Sequence, residues 1–157
     1  MGTIIGVIGG QKANGDHLVW AEQVGRLIAQ RGGVLICGGL EGVMEAACKG
    51  AKEVGGITIG VIPGMQRSEA NPFVTIPIVT GLSTARNLII VRSAQALIAV
   101  GGSYGTLSEI AHALDLKKKV ILLKSWDLRR LGADSGLLLE AHSPEEAVDL
   151  AFQSVEA

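Results

Sequence analysis

Charge of one sign and aromatic residues are both scarce in this sequence, and each shortage excludes a class of function. The 14 basic and 15 acidic residues leave a formal net charge of -1. The chain therefore lacks the basic excess that binding to a nucleic acid backbone requires. Aromatic residues make up 3% of the chain, too few to build stacking platforms for bases. We expect no nucleic acid partner.

Cysteine and long apolar runs are also scarce. Cys37 and Cys48 form no CxxC pair, and no histidine stands at metal-ligand spacing from them. We expect two buried free thiols in a reducing compartment and no metal site. No apolar run is long enough to span a bilayer, and the apolar start Met1–Gly10 lacks the basic segment of a signal peptide. The expected location is the cytoplasm, without a membrane partner.

Glycine, in contrast, is abundant, with 22 residues in a chain of 157. This is roughly twice the average share in proteins. The glycines cluster after apolar runs, where the backbone must approach something closely. Three pairs follow runs of strand length: Gly9-Gly10, Gly38-Gly39 and Gly101-Gly102.

Apolar runs of strand length alternate with helical patterns along the chain, which predicts a single α/β domain over residues 1–157. The runs are nearly continuous, as in strands that are buried on both faces of a parallel sheet. The sequence therefore predicts a Rossmann-like, doubly wound parallel sheet in three α/β/α layers, with about six or seven strands. The predicted strands are Thr3–Ile8, Val34–Cys37, Ile57–Ile62, Val74–Val79, Ala96–Val100 and Val120–Leu123.

Helical spacing and end signals place the remaining elements. Pro77 indicates that its strand lies at an edge or ends early. The predicted helices are Asp16–Gln30, Val43–Val54, Ser83–Ala94 with Ser83 as its cap, Thr106–Leu116, and a last helix opened by Ser143-Pro144-Glu145-Glu146. Met65–Pro72 is predicted as a polar loop and Ser125–Gly136 as a surface loop.

The strongest functional signal is the segment Val100–Glu109, where a buried strand runs through glycines directly into a helix. In open parallel sheets, ligands bind outside the carboxyl ends of the strands, near the point where strand order reverses. The first N–H groups of a helix lack intrahelical partners and carry the positive end of its dipole. We therefore expect a phosphate or sulfate at Gly101–Thr106, with Ser103 and Thr106 adding hydroxyl donors.

Other candidate residues have two interpretations each. Glu109 lies one turn beyond Thr106, where it faces the same ligand or closes a capping box with Thr106. The segment Cys37–Glu45 repeats the order strand, glycine loop and helix, which is a weaker signal because any tight turn uses glycine. Arg86, near a helix start, could clamp an anion or pair with Glu109, or it could be a surface arginine.

These segments together resemble the lonely-guy and molybdenum-cofactor-carrier family, which is often mislabelled as lysine decarboxylase. The family pattern Pro-Gly-Gly-x-Gly-Thr-x-x-Glu stands here, one residue longer, as Val100-Gly101-Gly102-Ser103-Tyr104-Gly105-Thr106-Leu107-Ser108-Glu109. The carrier branch has Val-Gly-Gly-Gly-Tyr-Gly-Thr-Leu-Ser-Glu, which differs only at Ser103. Ile57–Gly64, Ala70-Asn71-Pro72 and Thr80-Gly81-Leu82 are also similar to that branch, so the resemblance covers almost the whole chain.

The resemblance implies a binding protein for a phosphorylated heterocycle or nucleotide, most like a molybdenum cofactor carrier. The alternative is a nucleoside 5'-monophosphate phosphoribohydrolase of the lonely-guy type, in which Arg86 and Glu109 match the catalytic arginine and glutamate. Asn87 stands where the hydrolase pattern has lysine, and Val100 replaces the motif proline; both departures favour the carrier. A third interpretation is a regulatory nucleotide sensor without turnover. Lysine decarboxylase activity has no support, because no residue is identified as the lysine that holds pyridoxal phosphate.

The expected ligand is a small phosphorylated molecule, and no cofactor is expected to be tightly required. A bound molybdenum cofactor or nucleotide fits this expectation. The resemblance further implies a homodimer or homotetramer, with contact through the helices Ser83–Ala94 and Thr106–Leu116. The predicted ligand-binding residues are Gly9, Gly10, Gly38, Gly39, Gly42, Arg86, Asn87, Gly101, Gly102, Ser103, Tyr104, Gly105, Thr106 and Glu109.

Overall fold

A computed structural model describes residues 2–132 and 136–156, and these residues form a seven-stranded parallel sheet with five α-helices. The strands are β1 (Ile4–Gly9), β2 (Val34–Cys37), β3 (Thr58–Ile62), β4 (Ile76–Val79), β5 (Ala96–Val100), β6 (Val120–Leu123) and β7 (Leu138–Glu140). The helices are α1 (Gly15–Gln30), α2 (Val43–Glu53), α3 (Asn87–Ser93), α4 (Tyr104–Asp115) and α5 (Pro144–Glu156). The predicted Rossmann-like α/β fold is confirmed.

The strand order β4-β3-β2-β1-β5-β6-β7 places the reversal of the sheet between β1 and β5. The chain builds outward from β1 to the edge strand β4, then returns to the centre at β5 and builds outward to β7. Gly9 at the end of β1 lies beside Val100 at the end of β5. The loops that leave these two strands therefore diverge to opposite faces and open a crevice between them.

Two apolar cores lie on the two faces of the sheet. On one face, α1, α2 and α5 contribute buried residues such as Val24, Ala47 and Ala151. On the other face, α3 and α4 contribute Ile90 and Ile110. Because the central strands β1, β2, β5 and β6 are covered on both sides, their side chains are apolar in both directions, which explains the continuous apolar runs of the sequence. The predicted three-layer arrangement is confirmed.

The strand predictions hold with two differences. The strand predicted at Val74–Val79 begins only at Ile76, and it does lie at an edge of the sheet, as Pro77 indicated. The seventh strand, β7, was missed because its three residues carry no distinct pattern; it pairs with β6 at Val120 and Leu138. No helix among residues 2–132 and 136–156 is long and apolar enough to cross a membrane.

Two predicted helix starts are wrong. Ser83 does not cap an α-helix: it has a φ of 54° and opens a 3-10 turn, Ser83–Arg86, before α3 begins at Asn87. Its N–H donates to the carbonyl of Pro63 at 2.9 Å, which ties this turn to the end of β3. The fourth helix begins at Tyr104, two residues before the predicted start, because the chain already turns at the preceding glycines.

The loop predictions also need detail. Met65–Pro72 contains a 3-10 turn at Arg67–Glu69, and Ser125–Gly136 contains another at Leu128–Leu131. Residues 133–135 of the second segment lie outside the described residues. The start of α5 is confirmed, since the hydroxyl of Ser143 accepts the N–H of Glu146 at 3.1 Å.

Candidate ligand-binding site

A cavity of about 140 Å³ opens at the carboxyl edge of the sheet, where β1, β2 and β5 end. We call it the central cavity. It gathers residues from four separate parts of the chain, which only the parallel topology brings together. The predicted ligand-binding residues that line it are Gly9, Gly38, Arg86, Asn87, Ser103, Gly105 and Glu109.

The other predicted residues lie around this cavity without lining it. They are Gly10, Gly39, Gly42, Gly101, Gly102, Tyr104 and Thr106. Tyr104 points outward, with 83% of its surface exposed and its ring stacked on Trp126. Gln11, Met44 and Thr84 line the cavity but were missed, because no motif distinguishes these positions in the sequence.

Arg86 is a buried arginine, 9% exposed, so the interpretation as a surface arginine is wrong. Its Nε donates to the carbonyl of Val61 at 2.9 Å, and its Nη2 donates to the carbonyl of Gly38 at 3.4 Å. A Cβ at position 38 would lie 2.6 Å from Nη2, so glycine is required for the guanidinium to reach this place. Strand β3 and the loop after β2 thus fix one cation beside the cavity.

Asn87 is held by the neighbouring arginine. It is 4% exposed, and its side-chain oxygen accepts a hydrogen bond from Nη1 of Arg86. An asparagine supplies this acceptor, whereas a lysine at the same place would bring a second positive charge against the guanidinium. The wall of the cavity formed by the start of α3 therefore carries one cation.

Glu109 lies inside α4, 7% exposed, with its side chain at the cavity. Burial raises the pKa of Glu109 to about 8, although the charge of Arg86 acts in the opposite direction. The ion pairs among the described residues lie elsewhere, so Arg86 and Glu109 face one cavity without closing on each other. At neutral pH the carboxyl is protonated and can donate a hydrogen bond.

The alternative interpretation of Glu109, as the residue that closes a capping box with Thr106, is wrong. Oγ1 of Thr106 accepts the backbone N–H of Ser103, the N-cap residue three positions earlier, at 3.2 Å, so Thr106 closes the capping interaction at the start of α4. Thr106 is 1% exposed and is committed to this contact. Glu109 is therefore left to the cavity.

The start of α4 has the geometry of an anion site. Gly101 and Gly102 have φ values of 58° and 145°, a path that glycine follows without strain. The chain then enters the helix at Tyr104, and the first N–H groups of a helix have no intrahelical acceptors. Ser103 and Gly105 are exposed at the cavity wall, and the first turn carries no acidic residue that would repel an anion.

A second cavity, of about 290 Å³, adjoins the central one through Gln11 and Leu40. Asn71 and Pro72 form part of its wall. The side chain of Asn71 donates to the carbonyl of Leu40 at 2.9 Å, which fixes this wall to the loop after β2. The central cavity alone is smaller than typical ligand sites, and the two together reach that range. A ligand larger than a phosphate has room here.

Cys37 and Cys48 are buried free thiols, as expected. Their sulfur atoms lie 3.5 Å apart behind the loop after β2. The hydrogen bond with Cys48 and burial raise the pKa of Cys37, so this thiol stays protonated at neutral pH. In the part of the chain that the structure describes, no three His, Cys, Asp or Glu residues are grouped as a metal site would need.

With this geometry established, comparison with known proteins identifies the family. The sequence profile of the SLOG cluster4 family matches residues 2–148. The chain belongs to this family. An uncharacterized protein of Archaeoglobus fulgidus is 51% identical over 120 residues, which cover 76% of this chain and 79% of the relative.

Two solved structures of similar proteins agree with the whole fold. The molybdenum cofactor binding protein of Rippkaea orientalis is 43% identical, with a TM-score of 0.92 over 100% of this chain and 99% of its own. The molybdenum cofactor carrier protein of Chlamydomonas reinhardtii is 41% identical, with a TM-score of 0.91 and 99% coverage of both chains. The resemblance to the carrier branch is confirmed.

The hydrolase branch is less similar. A cytokinin riboside 5'-monophosphate phosphoribohydrolase of Mycobacterium tuberculosis is 37% identical over 101 residues, or 62% of this chain. The match spans 54% of that enzyme's length. The chain is thus similar in sequence to both branches. Its structural similarity to the carriers extends over the full length.

Proposed function

We propose that this protein binds a phosphorylated heterocycle in the central cavity and carries it without turnover. The observation that carries the proposal is the pairing of an open helix start with the buried Arg86 and the neutral Glu109 across one cavity. The similarity to molybdenum cofactor carriers favours that cofactor as the cargo.

Each wall of the cavity has a role in this proposal. The phosphate accepts hydrogen bonds from the first N–H groups of α4 and from the hydroxyl of Ser103. Arg86 adds positive charge from the opposite wall, where its position is fixed by Gly38 and Val61. The heterocycle extends along Met44 toward the adjoining cavity. Glu109, protonated at neutral pH, donates a hydrogen bond to a ring or ribose acceptor.

The same geometry argues against the hydrolase. Cleavage of a ribose–base bond develops positive charge on the sugar, and a carboxylate stabilises that charge. A Glu109 with a pKa of about 8 is mostly uncharged at pH 7 and is poorly suited to this role. Asn87 also replaces the lysine of the hydrolase pattern.

Mass spectrometry of small molecules that copurify with the natively isolated protein tests the carrier proposal. We expect a phosphorylated pterin. Incubation of adenosine monophosphate with wild type and with Glu109→Gln, followed by chromatography, tests the alternative. We expect no release of base from either protein. Sustained formation of ribose 5-phosphate by wild type, lost in the variant, would establish the hydrolase in place of the carrier.

We further propose that the protein self-associates in the cytoplasm as a homodimer or homotetramer and binds no nucleic acid. The edge strand β4 supports self-association, because Ile76 and Ile78 are 46% and 41% exposed on it. Contact through the α3 and α4 regions remains the predicted alternative. Sedimentation at tens of micromolar is the test. Detection of a 16.3 kDa species alone would contradict self-association.

A further inference from the structure

A separate open cavity of about 270 Å³ lies on the other side of the loop after β5. We call it the rear cavity. Its wall consists of His17, Gly101, Gly102, Lys124, Ser125 and Trp126. Gly101 and Gly102 face this cavity, whereas Ser103 and Gly105 of the same loop line the central cavity. One loop therefore divides two cavities that share no lining residue.

The rear cavity is positively charged and has no acidic residue in its wall. Lys124 lines the cavity, and its Nζ lies 4.6 Å from the ring centroid of Trp20, a cation–π contact that restrains the ammonium. The ion pairs of the described residues do not include Lys124. Its charge is therefore not neutralised by a carboxylate of residues 2–132 or 136–156.

The hydroxyl of Ser125 is an unused polar group in the same wall. Its Oγ is buried and is the single buried side-chain oxygen or nitrogen, among the described residues, that lacks a hydrogen-bond partner. A buried hydroxyl without a partner is costly, so a ligand that bonds to it gains more than one that bonds to an exposed group. The hydroxyl can donate to an oxyanion.

The remaining wall fits the same ligand. The imidazole of His17 packs so closely on Gly101 that a Cβ there would lie 2.4 Å from Nδ1. Histidine contributes a ring N–H donor in either tautomer. Lys124, Ser125 and His17 thus line one cavity, and each carries a group that can donate to oxygen.

We propose that the rear cavity is a second anion site, which binds a small tetrahedral oxyanion such as phosphate or sulfate. Lys124 supplies the charge, and Ser125 and His17 supply hydrogen bonds. This site is independent of the cargo proposed for the central cavity. The indole N–H of Trp126 donates to the carbonyl of Ser103 at 3.0 Å, so Trp126, which lines the rear cavity, also contacts the loop that bounds the central one.

The two tryptophans of the chain make this site measurable. Trp126 lines the rear cavity, and Trp20 lies beneath the ammonium of Lys124, while the central cavity has no tryptophan in its wall. The experiment is a titration of the full chain with inorganic phosphate, followed by tryptophan fluorescence, with sodium chloride at equal ionic strength as the reference. We expect a saturable change with phosphate beyond that of the salt.

Three variants show which cavity produces the fluorescence change. Lys124→Met keeps the apolar stem over Trp20 and removes the charge, and we expect affinity to fall by about tenfold or more. Ser125→Ala removes the unpartnered hydroxyl, and we expect a weaker loss, about fivefold. Gly105→Val removes the contribution of the central cavity, and we expect the saturable change that depends on Lys124 to persist in it, because Gly105 does not line the rear cavity.

The reverse pattern would overturn the proposal. A phosphate signal that is lost in Gly105→Val and kept in Lys124→Met would belong to the central cavity. A wild-type curve that follows the sodium chloride reference up to about 10 mM phosphate would contradict the proposal of a second site. Neither result bears on the cargo identified by mass spectrometry.

Discussion

The loop after β2 and the loop after β5 both follow a buried strand with a glycine pair and lead directly into a helix. After β2, the N–H of Val43 at the start of α2 donates to the carbonyl of Gly10 at 3.1 Å, and the carbonyl of Gly39 accepts from Asn71 at 2.8 Å. After β5, Ser103 and Gly105 are exposed at the central cavity, and Gly101 and Gly102 line the rear cavity. A glycine pair therefore indicates a tight turn, and the surrounding chain decides whether the helix start is open to a ligand.

We expect the largest effect from a substitution in the loop after β2, which is tied to the surrounding chain by hydrogen bonds. Gly42 has a φ of 71°, and a Cβ there would lie 2.3 Å from the carbonyl oxygens of Gly10 and Gln11. Gly42→Ala should therefore lower the free energy of unfolding by about 3 kcal/mol, measured by urea denaturation. An unchanged midpoint would show that this loop is as free as the one after β5.

In the loop after β5, a substitution should change ligand affinity more than stability. A Cβ at Gly105 has no neighbour closer than Oγ of Ser103 at 3.7 Å, so the side chain of Gly105→Val fits at the helix start. It would project into the central cavity, and we expect affinity for a phosphorylated pterin to fall by about 100-fold with nearly unchanged stability. Equilibrium dialysis and thermal unfolding measure the two quantities.

Gly105→Ala is the matched control, because it adds one carbon at the same place and should cost less affinity. A Gly105→Val protein that binds the pterin as wild type does would remove the start of α4 from the site.

The third effect depends on pH. Burial raises the pKa of Glu109 from 4.5 to about 8, so the folded state holds a proton that the unfolded state releases above pH 4.5. The free energy of unfolding should therefore fall as pH rises from 4.5 to about 8, by up to about 1.4 kcal/mol per pH unit, and then level off. Glu109→Gln lacks this proton and should gain stability relative to wild type across that interval. Urea midpoints of both proteins, measured between pH 4.5 and about 8, test this prediction. Parallel profiles for the two proteins would contradict it.

The smallest effect concerns the cap of α4. Thr106→Ala removes the acceptor of the Ser103 N–H and should cost about 1 kcal/mol of stability. Because Thr106 does not line the central cavity, we expect ligand affinity to change less than stability. Thr106→Ser keeps the hydroxyl and should restore most of the loss in thermal unfolding. A large fall in affinity with unchanged stability would instead make Thr106 a direct ligand contact.

The predictions from sequence succeeded where a local pattern has one physical meaning. Continuous apolar runs such as Ala96–Val100 are typical of strands that are buried on both faces, so they predicted the parallel three-layer fold. The start of α5 followed from Ser143 and Pro144 for the same reason. Ser83 failed as a helix cap because its φ of 54° lies outside the extended region of N-cap residues. Its N–H bond to the carbonyl of Pro63 ties the turn to the end of β3, a contact that the local sequence does not contain.

The predictions of the site divide in the same way, into those that a local pattern supports and those that depend on the fold. The glycine motif and its glutamate located the cavity wall on α4, and the resemblance added Arg86. Gln11 and Met44 could not be predicted, because ordinary residues enter a site only through the path of the chain around them. The rear cavity could not be predicted from the sequence either, since Lys124 and Ser125 are distant in sequence from His17 and belong to no motif.

The sequence by itself determined the parallel α/β architecture, the family resemblance and the segment that opens α4, because hydrophobic periodicity and glycine turns are local properties. The tertiary structure decided which helix start stays open, that Arg86 is buried beside Gly38, and that Glu109 is neutral at pH 7. These depend on which atoms the fold brings within a few ångströms of each other and on how far it excludes water. Both are set by the packing of segments far apart in the chain.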